Sequence, residues 1–389
     1  MDYRGGEGMN VLLVEPDYYS KYPPLGLMKL ASYLRSYGNE IYYVRGLDSN
    51  INAKIRQIYI TSLFTYAWKP VHDAIDFYHK MFPEATITVG GIYATLMPWH
   101  IRENFPFVNV FSGLHPKAEE YMPSYDILKW VDKWKDWNKS IVFTSRGCIR
   151  NCPFCVVPKI EGKFRANKDS IIQLIHPNHK EVVIWDNNFL ASPYAKKMLR
   201  ELIDHGIKPD FNQGLDARLM DEETAGLLAD LKPKTIHFAY DWIGERNSVK
   251  KTIELLDNAG YRKRDIIFYM LYNFFDFEHK YGDTPNDFFL RLKDLMEWET
   301  TAYPMRFIPL DALEKNSFIS PYWRNEQLEM IADARRVMGH GGAFVPYREF
   351  VNKILDATNF EEAMFIKPLK VVSIEKKQRT LDIFQEARA

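Results

Sequence analysis

The three cysteines of this 389-residue chain lie within eight residues of one another, in Ser145-Arg-Gly-Cys148-Ile-Arg-Asn-Cys152-Pro-Phe-Cys155. An odd number of thiols in one tight group is not a secreted disulfide framework, which would be even and spread out. Three thiolates on one short loop can take three corners of a cubane iron–sulfur cluster and leave the fourth iron open to the amino and carboxylate groups of a substrate or cofactor. Gly147 suits a backbone that must approach such a cluster closely. The competing chemistry is zinc held by the three cysteines and a distant histidine such as His176 or His179, although structural zinc ordinarily draws its ligands in two pairs. A lone nucleophilic thiol would need no neighbours at these spacings. With no further cysteine in the chain, a thiolate-ligated auxiliary cluster and a catalytic thiol elsewhere are excluded.

The elements that must position this loop are legible as alternating strands and helices. In the first third, Val11–Val14, Ile41–Val44, Ile58–Ile60, Ile87–Val89 and Val108–Phe111 have the apolar character of strands, and Leu27–Tyr37 and Pro70–Met81 have helical spacing. Alternation with short loops predicts a doubly wound parallel sheet. Residues 45–57 are too few for a full crossover helix. A second alternating series follows, with strands expected at Ile141–Thr144, Val182–Trp185, Asp210–Asn212, Thr235–Ala239, Ile266–Leu271 and Met305–Leu310. Helices are expected between them at Lys168–Ile175, Pro193–Asp204, Asp221–Leu231, Ser248–Asn258 and Asp287–Trp298. Six such units make most of a barrel, whose chemistry sits at the carboxyl ends of its strands. The fold class is therefore α/β: a Rossmann-like domain over 1–118, a connector over 119–140, a partial (β/α)6 barrel over 141–320 and a helical region over 321–389.

The cysteine loop directly follows the first barrel strand, and its Cys-x3-Cys-x2-Cys spacing with Phe154 before the last cysteine resembles the radical S-adenosylmethionine superfamily. That resemblance implies a [4Fe–4S] cluster on Cys148, Cys152 and Cys155. It implies reductive cleavage of S-adenosylmethionine to methionine and a 5′-deoxyadenosyl radical, with Phe154 beside the adenine. Polar residues stand at the expected strand ends: after the second strand Trp185-Asp186-Asn187-Asn188 departs from the family's Gly-Gly-Glu-like segment but resembles the Asp-rich form of its cobalamin-type subgroup, Asn212, Gln213, Asp216 and Arg218 follow the third, and Asp241 the fourth. The resemblance makes them cofactor or substrate contacts; as a structural alternative, Asp186 could be a helix cap. Asp186 and Asn212 are expected to bind cofactor without bearing on the cluster.

In the first domain, Tyr22-Pro-Pro-Leu-Gly-Leu-Met-Lys-Leu-Ala-Ser-Tyr-Leu34, Ile60-Thr-Ser-Leu-Phe-Thr65 and Val89-Gly-Gly-Ile-Tyr-Ala-Thr95 resemble the cobalamin-binding domain fused to many of these enzymes. Gly90 and Gly91 would let backbone approach a large planar ligand at the sheet's carboxyl edge. The chain has no Asp-x-His-x-x-Gly to place a histidine beneath cobalt. The resemblance implies C–H functionalisation of an unknown substrate, with cobalamin-dependent methylation one option. The alternative is a cobalamin-independent enzyme modifying a nucleoside or RNA, and a further one is a non-catalytic redox sensor.

Lys+Arg and Asp+Glu are both 51, so no global basic field recruits nucleic acid, though nucleic acid is not excluded; the basic stretch Lys370–Arg379 permits it. No apolar run approaches the roughly 20 residues that span a bilayer, and Met1–Asn10 is polar and Gly-rich. The expectation is a cytoplasmic enzyme with a small-molecule or nucleoside substrate, no membrane, and an electron donor such as flavodoxin or ferredoxin.

Overall fold

A computed structural model describes residues 8–166 and 168–366; the basic stretch Lys370–Arg379 lies outside them. They fall into two compact units. One comprises 8–166, 168–239, 248–262 and 306–318, the other 240–247, 263–305 and 319–366.

The first unit opens with β1 (Asn10–Glu15), α1 (Leu25–Arg35), β2 (Glu40–Arg45), β3 (Gln57–Ser62), α2 (Trp68–Met81), β4 (Thr86–Gly91), α3 (Ile92–Leu96), α4 (Pro98–Asn104) and β5 (Asn109–Val110). The strands form a parallel sheet in the order β2-β1-β3-β4-β5, with Leu12 opposite Tyr42 on one side and Ile58 on the other. This is a doubly wound topology. The crossover from β2 to β3 carries no helix, as its short length suggested. Alternate residues of the strands face opposite layers. Leu12, Val14, Ile58, Ile60, Ile87 and Val89 pack with α2, α3 and α4. Val11, Leu13, Ile41 and Tyr43 pack under α1 together with Ala118, Tyr125, Ile127, Leu128, Val131 and Trp134. The segment expected as a connector is thus core on the α1 side. At its centre the Glu15 carboxylate accepts from Tyr43 Oη and Trp134 Nε1, both at 2.7 Å.

The same unit continues with β6 (Ser140–Val142), β7 (Ser145–Arg146), α5 (Val157–Ile160), β8 (Arg165–Ala166), β9 (Glu181–Ile184), α6 (Ala195–Asp204), β10 (Lys208–Asp210), α7 (Glu222–Leu231) and β11 (Ile236–Ala239). Strands β6, β9 and β10 make a parallel sheet with β9 central, and an isolated parallel bridge pairs Leu215 with Phe238 of β11. The helix expected at Lys168–Ile175 is reduced to a 3₁₀ turn at Ile172–Leu174. Eight residues are marginal for a helix, and the Glu201 carboxylate captures Ser170 Oγ and Ile171 N, both at 3.0 Å. Strand β10 lies two residues earlier than expected because its register sets Lys208 against Glu181 and Asp210 against Val183. Asn212 and Gln213 consequently stand in the turn beyond the strand.

Helix α8 (Arg246–Asn258) precedes β12 (Ile266–Tyr272), a short hairpin of β13 (Phe275–Asp276) and β14 (Tyr281–Gly282), α9 (Pro285–Glu297) and β15 (Thr301–Arg306). The last strand begins four residues before the expected Met305. Ala302 is held by an antiparallel bridge to Phe344, and Thr301 Oγ1 donates to Arg264 O. In the second unit β12 and β15 are neighbours, and α10 (Asn325–Met338), α11 (Arg348–Asp356) and α12 (Phe360–Met364) complete it. Its fully buried Arg291 donates to Tyr240 O and Leu271 O and pairs with Asp283, whose carboxyl burial pushes up to about 7 against the pull of Arg291.

Candidate metal centre

The cysteine loop leaves β7 and returns through α5 to β8, which pairs antiparallel with β7 so that Arg146 faces Arg165. Cys148 bridges to Lys163. Gly147 has φ +74°, and a Cβ there would lie 2.4 Å from Lys163 O. Only glycine lets the loop close at this point.

The three cysteines form no disulfide and are half-buried. Arg150 N donates to Cys148 Sγ at 3.3 Å and Val157 N to Cys155 Sγ at 3.5 Å, while Asn188 Nδ2 stands 3.8 Å from Cys148 Sγ. Cys155 N closes a turn onto Cys152 O at 3.0 Å. N–H groups aimed at sulfur stabilise a thiolate, the form that binds iron. Among the described residues no three His, Cys, Asp or Glu side chains stand close enough to hold one metal ion. A cubane asks for something else, one thiolate on each of three irons. The donor set and the amides around it fit such a cluster.

Two carboxylates hold the loop's ends. Asp186, at the end of β9 and 1% exposed, accepts from Thr144 N at 2.6 Å, Thr144 Oγ1 at 2.5 Å and Ser145 Oγ at 2.6 Å. Burial raises its pKa, with those hydrogen bonds pulling the other way. Glu161, after α5, accepts from Gly147 N and Asn187 Nδ2, both at 2.8 Å, and from Arg146 Nη1 at 3.0 Å. Arg146 is buried, lies 3.3 Å over the Phe143 ring, and also donates to Glu119 Oε2 at 2.9 and 2.5 Å.

A third carboxylate ties the loop to the strand ends. Asp216 accepts from Arg150 Nε at 2.9 Å and Asn188 Nδ2 at 3.1 Å through one oxygen, and from Arg218 Nε at 2.7 Å through the other. Burial alone would raise the Asp216 pKa, but the bonds and charges of Arg218 and Arg150 outweigh it and hold the carboxyl below its usual range. Asn188 Oδ1 is buried beside this group and has no partner among the described residues.

The structure therefore brings Asp186, Asn187 and Asp216 to the cysteine loop, with Arg218 attached through Asp216. Both Asp186 oxygens are occupied by Thr144 and Ser145, so this residue bears on the loop itself. Phe154 is half-buried within the loop, Asn212 half-buried and Gln213 exposed in the turn after β10. Asp241 belongs to the second unit, where its Oδ1 accepts from Leu271 N at 2.8 Å. Sequence reasoning missed Arg146, Arg150, Glu119 and Glu161. The charges flanking the motif were a signal, but their partners are remote in sequence.

Gly90 and Gly91 stand at the carboxyl end of β4. Gly91 has φ +103°, and a Cβ would fall 2.1 Å from Ser62 O. Gly90 lines a cavity of about 470 Å³ that is walled by α1 (Leu27, Lys29, Tyr33), by Tyr59, Thr61 and Thr88 of the sheet, and by Glu119. Burial lowers the pKa of Lys29 against the pull of its partner Glu119, 3.4 Å away. At the end of β3, Phe64 and Tyr66 stack with ring centroids 5.0 Å apart.

No protein-family model matches the chain, and no curated protein matches it. Among solved structures the chain is similar to the radical S-adenosylmethionine methyltransferase TsrM from Kitasatospora setae, determined with cobalamin and a [4Fe–4S] cluster bound. Identity is 15%, the match covers 78% of this chain and 77% of that one, and the TM-score is 0.58. A second similar structure is the cobalamin-dependent S-adenosylmethionine radical enzyme OxsB, at 14% identity, 75% and 52% coverage and TM-score 0.46. The chain shares the α/β fold of that methyltransferase, with a doubly wound N-terminal sheet ahead in sequence of the strands that carry the cysteine loop. No helix among the described residues is long and apolar enough to cross a membrane.

Proposed function

We propose that this chain is a radical S-adenosylmethionine enzyme whose [4Fe–4S] cluster is held by Cys148, Cys152 and Cys155. The observation that carries the reading is the loop itself: three thiols, two of them accepting backbone N–H groups, on a turn that Asp186, Glu161 and Asp216 fix at both ends. When bound and reduced, such a cluster supplies the electron that cleaves S-adenosylmethionine to methionine and a 5′-deoxyadenosyl radical. The protein's part is positioning and exclusion of water. Asn188 offers its unpartnered buried Oδ1 to a cofactor amino group, and Asp216 keeps Asn188 and Arg150 in place. Phe154 offers an aromatic face within the loop.

For the downstream chemistry, the cavity under α1 favours a corrinoid. It opens among Thr61, Thr88 and Gly90 at strand carboxyl ends, where a doubly wound sheet binds its ligands, and the stacked Phe64–Tyr66 pair stands on the same edge. The segment from Glu15 to Pro24 contains no histidine, so cobalt would lack a histidine from that loop. The test is anaerobic incubation with hydroxocobalamin followed by desalting, with the absorption spectrum read on the protein fraction. Roughly one corrinoid per chain supports cobalamin-dependent methylation. A colourless protein that still cleaves S-adenosylmethionine would end that option and leave a cobalamin-independent enzyme.

A further inference from the structure

The cavity under α1 and the cysteine loop are joined by one run of alternating charges. Lys29 of α1 lines the cavity and is itself buried. Its Nζ donates to Glu119 O at 3.2 Å and lies 3.4 Å from Glu119 Oε2, so it holds both the backbone and the side chain of that residue. Glu119, also on the cavity wall, accepts through the same Oε2 from Arg146 Nε at 2.9 Å and Nη2 at 2.5 Å. Arg146 is buried and gives its Nη1 to Glu161 Oε1 at 3.0 Å. Glu161 Oε2 in turn accepts from Gly147 N, next to Cys148, and from Asn187 Nδ2. The three links span 90, 27 and 15 residues of sequence, so only the folded chain assembles them. A second contact joins the same places: α3, which leaves the cavity rim at Gly91, packs against α5 of the loop.

We propose that Lys29 and Glu119 are positioning residues that couple occupancy of the cavity to the order of the cysteine loop, so that a corrinoid in the cavity and a cluster on the loop each favour the other. This rests on the iron–sulfur and corrinoid readings of the two sites. Arg146 fixes Glu161, and through it the Gly147 amide, only while its other side is fixed by Glu119. Glu119 is the weak member of the run, because its side chain is 28% exposed and water competes for it, while Arg146 and Glu161 are 6% and 10% exposed. A ligand that fills the cavity removes that water, and the pairs strengthen as the local dielectric falls. The carboxamides around a corrin ring are neutral, so they can pack there without taking either charge from its partner. By linkage the effect is reciprocal: a ligand that orders the loop binds more tightly to a loop already ordered by iron. The contact of α3 with α5 is the competing route, and it would couple the two sites without Glu119.

The experiment uses the full chain, anaerobically reconstituted, and follows the release of iron to a chelator. Lys29→Gln, a change on α1, should speed release about threefold, and Glu119→Gln at least as much. The two together should release iron no faster than Glu119→Gln alone, because Lys29 acts through Glu119. Lys29→Arg, which keeps the cation, should release iron at the wild-type rate. In the second measurement, hydroxocobalamin should bind about fivefold more tightly to iron-loaded than to iron-free wild type, and equally to both forms of Glu119→Gln. Wild-type release from Lys29→Gln, additive effects in the double variant, or equal affinity for the two wild-type forms would each overturn the proposal. A preference for loaded protein that survives in Glu119→Gln would overturn it too, and would assign the coupling to α3 and α5. If no corrinoid binds, the corrinoid reading falls, and the release rates still decide whether Lys29 orders the loop through Glu119. If no iron loads, the reading of the metal site falls, and hydrogen exchange at the Gly147 amide, faster in Lys29→Gln than in the wild type, decides instead.

Discussion

Replacing Asp186 should release the cysteine loop, although Asp186 lies more than thirty residues from the motif. Its two oxygens take three hydrogen bonds at 2.5 to 2.6 Å, from one backbone amide and two hydroxyls, all within the two residues that lead into β7. Bonds to an ionised carboxylate contribute about 1.5–3 kcal/mol each. The carboxylate is fully buried and has no cation against it, so a desolvation cost of several kcal/mol offsets much of that sum. Asp186→Ala also strands the Thr144 amide without a partner, which costs about 1–3 kcal/mol. The hydroxyls of Thr144 and Ser145 can turn to other acceptors. The net loss of loop order is therefore on the order of 2–4 kcal/mol, a factor of roughly 30 to 1,000 in the equilibrium that presents the three thiols together. Iron and acid-labile sulfide per chain after anaerobic reconstitution are the readout. Asp186→Ala should load less than half the wild-type iron, and Asp186→Asn, which keeps one acceptor oxygen, should lie between. Wild-type iron in Asp186→Ala would refute the reasoning and return Asp186 to a cofactor-facing role.

Glu161→Ala removes the acceptor of Gly147 N, Asn187 Nδ2 and Arg146 Nη1 while leaving Arg146 neutralised by Glu119. It should cost about 2–3 kcal/mol and expose the cysteine loop to limited proteolysis, and wild-type protection there would contradict the bracing role. Gly91→Ala forces a Cβ to within 2.1 Å of Ser62 O at φ +103°, so denaturant titration should show a loss on the order of 2–4 kcal/mol. An unchanged midpoint would mean that β4 ends differently. His72 is buried against Tyr93 Oη and His100, and burial first, then His100, pushes its pKa down to about 4. Its contribution to stability is complete above the ordinary value near 6.5 and is lost as the pH falls through 4. Thermal unfolding between pH 7 and pH 4 should be less pH-dependent in His72→Gln than in the wild type. Equal slopes would contradict the neutral buried form.

The parts of this molecule that were legible in the sequence are those encoded locally. The five strands of the first sheet and helices α1, α2 and α6 to α9 show in runs such as Val11–Val14 and Leu27–Tyr37, whose apolar periods match one element each. The missing crossover helix was legible too, since the link between β2 and β3 is short for a full one. What escaped depended on partners. The stretch Lys168–Ile175 has a helical pattern, but Glu201, thirty residues on, takes its amide. The start of β15 is set by a bridge to Phe344, and the Trp-rich segment after Glu119 became core because α1 and the sheet offer it a face. In the site, the cysteines announce themselves by type and spacing. Asp186 and Asp216 were visible as polar residues where strands should end, but their roles follow from Thr144 and Arg150 and not from position along the chain. Glu119 and Glu161 carry no sequence signature, because any surface acid looks the same until its arginine is found.

The central claim is that this loop holds an iron–sulfur cluster that works on S-adenosylmethionine. The most direct measurement is the conversion of S-adenosylmethionine to 5′-deoxyadenosine by anaerobically reconstituted, dithionite-reduced protein, with iron and sulfide assayed on the same sample. The account predicts about four irons per chain, 5′-deoxyadenosine formed even without substrate, and loss of both in Cys148→Ala, Cys152→Ala or Cys155→Ala. Stoichiometric zinc without sulfide in the anaerobic wild type, or a loaded cluster that never yields 5′-deoxyadenosine, would contradict it.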